Sequence, residues 1–475
     1  MTDPQTTFHH YEGRIVLVGF GSIGQGVLPL LLRHIRLSPA QIVVLTPGSD
    51  GAAIARKFGV RMVDAALTRA NYRELLTPLL ADGDFLLNLS VDVSSAALIA
   101  LCQELGALYL DTVSEPWAGT YDCAALPLAR RTNYAQRQES LALRRAGTPT
   151  AVITHGANPG LVSHFVKQAL LDLARDTGIA VAAPATRPEW ARLAQQLGVK
   201  VIHIAERDTQ VGAQPKAVGE FVNTWSVEGF VAEGLQPAEL GWGTHERHFP
   251  PDGVRQTSGC RAAIYLERPG ASTRVRSWTP VAGAQHAFLI THAEALSIAD
   301  YLTVAAASGD SGAPEYRPTV HYAYHPCNDA VLSVHELAGR QWQMPLRTRI
   351  LKDDIVAGTD ALGVLLMGHA RGAYWYGSQL NVEQARAACP HNSATSLQVT
   401  ASALAGVVWA MRNPACGVVE PDEMPHAQIL DWCRPYLGEL GGVYTDWTPL
   451  LGRGQLYPED MDRDDPWQFK NFRVG

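Results

Sequence analysis

Between Ala217 and Glu246 the chain has no lysine or arginine, yet this stretch carries Glu220, Glu228, Glu233, Glu239 and Glu246 among Phe221, Trp225, Phe230 and Trp242. The whole chain has six lysines: Lys57, Lys167, Lys200, Lys216, Lys352 and Lys470. With a net charge of −7 and no basic stripe, nucleic acid is not an expected partner. No apolar run approaches the roughly 18 residues of a membrane helix, so no membrane partner is expected either. Seven cysteines stand singly, with no C-x-x-C pair, which excludes a zinc ribbon and points to reduced thiols in a cytoplasmic protein. The segment Met-Thr-Asp-Pro-Gln at the start lacks a basic region leading into an apolar one, so no secretory signal is expected.

What is present begins with alternation. Arg14–Val18, Ile42–Leu45, Phe85–Ser90 and Leu108–Asp111 are short apolar runs, and helical patterns such as 27–32 and 52–58 lie between them. That is the pattern of a parallel sheet with crossover helices, and 475 residues require more than one core. The expected class is α/β: a Rossmann-type dinucleotide-binding domain over 1–150, completed by a returning apolar helix near 393–412. An α+β catalytic domain with a mixed sheet follows over 151–392, and 413–475 forms a C-terminal extension packed on both. Aromatic faces and carboxylates attract cations, whereas acidic residues at irregular spacing are also what a solvated surface looks like; the stretch from Ala217 to Glu246 admits both readings.

Gly19-Phe-Gly21-Ser-Ile-Gly24 follows a strand and opens a helix. In that context G-x-G-x-x-G provides a tight turn, close approach to a pyrophosphate and close helix–strand packing, with the helix N-terminus facing the phosphates. Gly19, Gly21, Ser22, Ile23 and Gly24 are therefore assigned to cofactor binding. The acid expected at the end of the second strand is replaced by Thr46, which is assigned to the ribose, with Asp50 close by in sequence. With no arginine between Thr46 and Arg56, NAD is expected rather than NADP. Asn88, Ser90, Val91 and Asp92 lie where this fold meets the nicotinamide half. Asp92 is equally readable as a helix N-cap.

Further polar segments are Asp111–Trp117, His155–Gly160, His203–Gln210, Asn223–Phe230, Thr291–Glu294 and His321–Asp329. With the glycine fingerprint, and down to Val443–Pro449 and Asp465–Phe469, the chain resembles the bacterial homospermidine synthases, NAD-dependent relatives of saccharopine dehydrogenase and carboxynorspermidine dehydrogenase. The resemblance implies aminobutyl transfer from putrescine, or spermidine, to putrescine without net redox change, and a homodimer. It also implies substrate exchange without an enzyme-bound imine; the other homospermidine synthases, which resemble deoxyhypusine synthase, use a lysine. Only Lys167 stands close after a polar motif here.

By the same resemblance Trp225 holds an ammonium by cation–π contact, and Glu206, Glu233, His292 and Asn158 join it in catalysis. Glu115, Asp92, Asp360, Glu233 and Trp225 bind substrate; Thr112, Asn158 and Pro159 complete the cofactor site. Each has a plainer reading: a salt bridge of Glu206 with Arg207, a surface Glu233, a core His292, a turn at Asn158. His321, His325 and Asp329 lack a clear third ligand, so no metal is expected. Two alternatives stand open. A saccharopine-type dehydrogenase would clamp a carboxylate substrate with arginine, for which Arg207 and Arg261 are candidates. A non-catalytic NAD-binding protein would leave the acids and histidines without a role.

Overall fold

The computed structural model describes residues 6–121, 123–179, 182, 184–306 and 313–474. Seven parallel strands form the first sheet, in the order Val418–Val419, Ala151–Val152, Leu108–Asp111, Phe85–Asn88, Ile15–Val18, Ile42–Thr46 and Arg61–Asp64. Apart from the edge strand Arg61–Asp64, which is partly exposed and carries a charge at each end, these strands are buried along their length and mainly apolar, as parallel strands covered on both faces are. Two of them lie outside the expected first domain. Ala151–Val152 pairs with Leu108–Asp111, and Val418–Val419 extends the sheet from the C-terminal segment. The N–H of Tyr109 reaches the carbonyl of Thr150 at 3.0 Å, so the ladder runs past the expected boundary before the chain leaves for the second domain.

A ten-stranded mixed sheet forms the second domain. At its centre Thr319–His325 runs parallel to Val201–Asp208, which runs antiparallel to Thr359–His369. Strand side chains alternate between faces. Ile202, Ile204, Tyr322, Tyr324, Leu362 and Val364 therefore point into the core shared with the first domain, while Val201, Ala205, Ala323, Ala361 and Leu365 point to a second core. The C-terminal residues Trp467, Phe469 and Phe472 cover that second core. Between the sheets lies the apolar helix Ala394–Arg412, capped by Ser393, whose Oγ accepts from the Ser396 N–H at 3.1 Å. This is the one described helix with the length and apolarity to cross a membrane, and it is 94% buried within the protein.

Glu239 ties the two parts together. On the strand Pro237–Gly241 and fully buried, it accepts from the Asn133 and Tyr134 N–H groups (2.6 and 3.3 Å) and from the Thr291 hydroxyl (2.7 Å). The two amides open the helix Asn133–Leu141, so a carboxyl group from the second sheet serves the N-terminus of a helix from the first third of the chain. Its place in the acidic stretch is structural. Glu239→Ala should strand these donors and cost about 1–3 kcal/mol. The thermal midpoint should fall by a few degrees, with exposed Glu228→Ala as a neutral control; an unchanged midpoint for Glu239→Ala would show that water replaces the carboxylate.

Candidate active site

The glycine turn fits a dinucleotide. Gly19 sits at φ +87°, and a Cβ there would meet the Leu89 carbonyl oxygen at 2.7 Å; a Cβ on Gly24 would meet the Gly19 oxygen at 2.6 Å. Space beside Gly21 is open, and the helix Ser22–His34 starts from it with no capping side chain and no acid in the first turn. Its first N–H groups, including those of Ser22 and Ile23, are thus available to an anion. Thr46 ends its strand, and Asn88 ends the central one, where its Oδ1 accepts from the Ser90 hydroxyl at 2.6 Å. Val91 and Asp92 follow in the loop, with Asp92 at φ +61°. Asp92 does not cap the next helix; Ser94 does, accepting from the Ala97 N–H at 3.3 Å. Thr112 lies just past Leu108–Asp111, against Gly156. Asn158 and Pro159, joined by a cis peptide, form the turn before the helix Leu161–Asp176.

Asn158 carries the link to the second sheet. Its Nδ2 donates to Glu206 Oε2 at 2.8 Å, and the Tyr322 hydroxyl donates to the same oxygen at 2.5 Å. Glu206 is 3% exposed; burial raises its pKa to about 7 against these two hydrogen bonds. It makes no salt bridge with Arg207, its neighbour on the opposite face of the strand, whose guanidinium binds His325, the Pro326 carbonyl and Asn328 instead.

Asp208, two residues on, shares the face of Glu206 and accepts from Thr224 at 2.7 Å and from the Gln210 N–H at 2.8 Å. Asp360 is its register partner across the ladder, fully buried, with Oδ2 bound to Thr395 and Oδ1 without a hydrogen bond. Burial, then the neighbouring carboxylates Glu206 and Asp208, push the Asp360 carboxyl far above its usual range. Tyr324 stacks on Tyr322 at 5.1 Å and accepts from the Trp225 indole N–H at 3.1 Å. Ser226 caps the helix Val227–Leu235 and holds Trp225 at its entrance, half-buried.

That helix carries Glu233 to His292. The imidazole lies between Glu233 (3.1 Å) and Glu294 (3.2 Å) and packs on Tyr322 at 4.4 Å. Burial opposes its charge, but Glu294 and Glu233 outweigh this and lift the pKa to about 10, so it is an imidazolium at neutral pH. Glu115 is buried beside Glu233 and Asp92; burial first, and those two carboxylates next, raise its carboxyl well above the ordinary range. Tyr121 faces the same acids.

The expected residues Asp92, Glu115, Asn158, Glu206, Trp225, Glu233, His292 and Asp360 thus come together around one region between the domains. Among the described residues, none of Glu115, Glu206, Asp208 and Asp360 forms an ion pair with lysine or arginine, and His292 is the cation that pairs with Glu233 and Glu294. Such an array suits a polycation. Glu220 pairs with Arg349 at 2.9 Å, and Glu246 is tied to Thr319 and the Phe469 N–H; both lie outside the array.

Lys167 turns away. Its amine donates to the Asp422 and Met424 carbonyls (2.5 and 3.1 Å) over the Tyr301 and Trp190 rings, where burial lowers its pKa to about 8. Arg261 is exposed, and the Arg207 guanidinium is bound on the far face of the strand, from which its charge acts on Asp208 and Asp360 but pairs with neither. His321 lies against His203, with ring centroids 4.1 Å apart and the planes tilted by 37°, beneath Phe469 and Phe472 and away from His325 and its arginine.

Several participants had no individual role in the sequence reading: Asp208, Tyr322, Tyr324, Glu294 and Tyr121. Two-residue spacing is the signal for some of them, since Glu206 with Asp208, and Tyr322 with Tyr324, each share one face of a strand.

Two protein-family models cover the chain: the saccharopine dehydrogenase NADP binding domain over residues 15–152 and the saccharopine dehydrogenase C-terminal domain over residues 156–445. Homospermidine synthase from Blastochloris viridis is 56% identical over 480 residues, covering 100% of both chains. The chain belongs to the homospermidine synthase family. The enzyme of that name from Mesorhizobium japonicum is 52% identical over 97% of this chain and 96% of its own. A crystal structure of the family member from Legionella pneumophila, in complex with NAD, is 49% identical, covers 98% of each chain and superposes with a TM-score of 0.92. The dinucleotide fold and the mixed-sheet domain expected from sequence are those of this family.

The His292 pair makes a prediction. Its ring signals should titrate by NMR near pH 10, and Glu233→Gln, which removes one of two flanking charges, should lower that midpoint by about one unit or more. A midpoint unmoved by Glu233→Gln would mean that Glu294 alone holds the charge.

Proposed function

We propose that the protein makes sym-homospermidine from two putrescines, releasing ammonia, with NAD as cofactor. The observation that carries this reading is the buried carboxyl array, with His292 as its paired cation, beside the glycine turn. When bound, NAD takes a hydride from the amine-bearing carbon of the first diamine and returns it to the imine formed with the second, so no net oxidation results.

The residues bind, orient and move protons. Glu115, Asp92 and Glu233 receive the distal ammonium of one diamine, Asp360 with Asp208 that of the other, and Trp225 covers an ammonium with its ring face. Glu206, poised near pH 7 and held by Asn158 and Tyr322, takes the proton that the reacting amine must lose. His292, charged between two carboxylates, gives a proton to the departing amine. Water is kept out by Tyr322, Tyr324 and Trp225. No lysine enters this array; imine exchange takes place between the substrates, consistent with Lys167 facing Asp422 and Met424. A homodimer through the second domain belongs to the same reading, supported by exposed Val218, Leu332 and Leu346 around the small sheet that pairs Glu220–Asn223 with Arg347–Ile350.

Incubation with putrescine and NAD far below the diamine concentration should give homospermidine and ammonia in equal amounts, with little NADH. NADH formed in proportion to diamine, without the triamine, would replace this reading with a dehydrogenase. The pH dependence has a definite sign. Below about pH 7 the Glu206 carboxyl is neutral and accepts no proton, so kcat/KM should rise through pH 7 as it ionises. Glu206→Gln should lower the rate by about 10²-fold or more and remove that limb; a limb that persists in the variant belongs to another group.

A further inference from the structure

In a dinucleotide fold, a carboxylate at the end of the second strand ordinarily binds the adenosine ribose and repels a 2′-phosphate. Thr46 occupies that place here, and a threonine hydroxyl tolerates either group. The neighbouring strand Arg61–Asp64 lies parallel, and Asp64 is the register partner of Thr46. Backbones so paired stand about 4.8 Å apart. The Asp64 side chain reaches over the strand end: its Oδ1 accepts from the Gly48 N–H at 2.7 Å. Gly48 follows Pro47 and adopts φ +79°, which suits the turn Thr46-Pro-Gly-Ser49 that closes over that edge. Asp64 Oδ2 has no hydrogen-bond partner among the described residues, and the carboxylate is exposed.

We propose that Asp64 replaces the missing strand-end acid and makes this site select a 2′-hydroxyl over a 2′-phosphate. Oδ1 holds the turn in place, and Oδ2 accepts from the ribose hydroxyl. A 2′-phosphate, carrying nearly two negative charges, meets the carboxylate instead. Nearby cations do not offset this. Lys352, from the second domain, stands 3.7 Å from Asp50 at the end of the same loop. Arg56 and Lys57 occupy the last turn of the helix Ala52–Lys57, with the Lys57 amine over the Phe58 ring.

The inference rests on the dinucleotide site alone and is read without any diamine, so failure of the polyamine reading leaves it intact. Binding of NAD and NADP is measured by calorimetry on protein freed of cofactor, and checked by the release of bound NAD from holoenzyme on addition of NADP. Asp64→Asn keeps an acceptor for the Gly48 N–H but removes the charge. The wild-type preference for NAD should fall about tenfold or more in Asp64→Asn, mainly through tighter NADP binding. Asp50→Asn, which removes a charge from the same loop, should change the ratio less. Equal weakening of both dinucleotides by Asp64→Asn, an unchanged ratio, or a larger shift in Asp50→Asn would each overturn the assignment.

Discussion

A carboxylate buried without a countercharge costs several kcal/mol, and around Glu206 the protein buries several at once. The arrangement depends on the hydrogen bonds that Glu206 Oε2 accepts from Asn158 at the domain junction and Tyr322 on the adjacent strand. Removing either donor would leave a buried acid partly unanswered. The same contacts fix where the catalytic sheet sits relative to the turn that follows the dinucleotide domain. Tyr322 in turn supports the His292 ring, and Tyr324 beside it holds the Trp225 indole.

From that point the electrostatics divide into two kinds of acid. Glu239 and Glu246 are satisfied by backbone N–H groups and threonine hydroxyls, so they stabilise the fold and need no ligand. Asp360 keeps a buried oxygen without a hydrogen bond, and the charges that most raise the Glu115 carboxyl are those of other carboxylates, so a cation between them would favour their ionised forms. In the proposed function, a diammonium ligand would stabilise the charged array, and the array would hold the ligand along its length. Carboxylate substrates would meet repulsion, with Arg207 held behind the sheet by His325 and Asn328.

The cofactor half follows a different economy of groups. Glycine at three positions brings backbone to the phosphates, and the helix N-terminus supplies partial positive charge without a side chain. Ribose recognition moves one strand outward, to an acid that also stabilises the loop it serves.

Periodicity and turn chemistry made much of this legible in advance. Parallel strands buried on both faces are apolar runs, the glycine spacing admits few other uses, and the helix Ala394–Arg412 announces itself by its apolar repeat and its Ser393 cap. The family pattern brought Trp225 and Glu233 forward from a stretch whose composition alone was ambiguous, and His292 from a separate polar segment. Other assignments needed the folded chain, because composition does not say which carboxylates are satisfied. Glu233 and Glu239 lie six residues apart in one acidic stretch, yet one pairs with His292 and the other serves a helix from residues 133–141. Likewise Asp64 is eighteen residues from Thr46 and becomes its neighbour only through strand pairing. Local sequence dictates backbone preference and the alternation of side chains, whereas the partner of a buried charge is set by long-range contacts, and those contacts decide its chemistry.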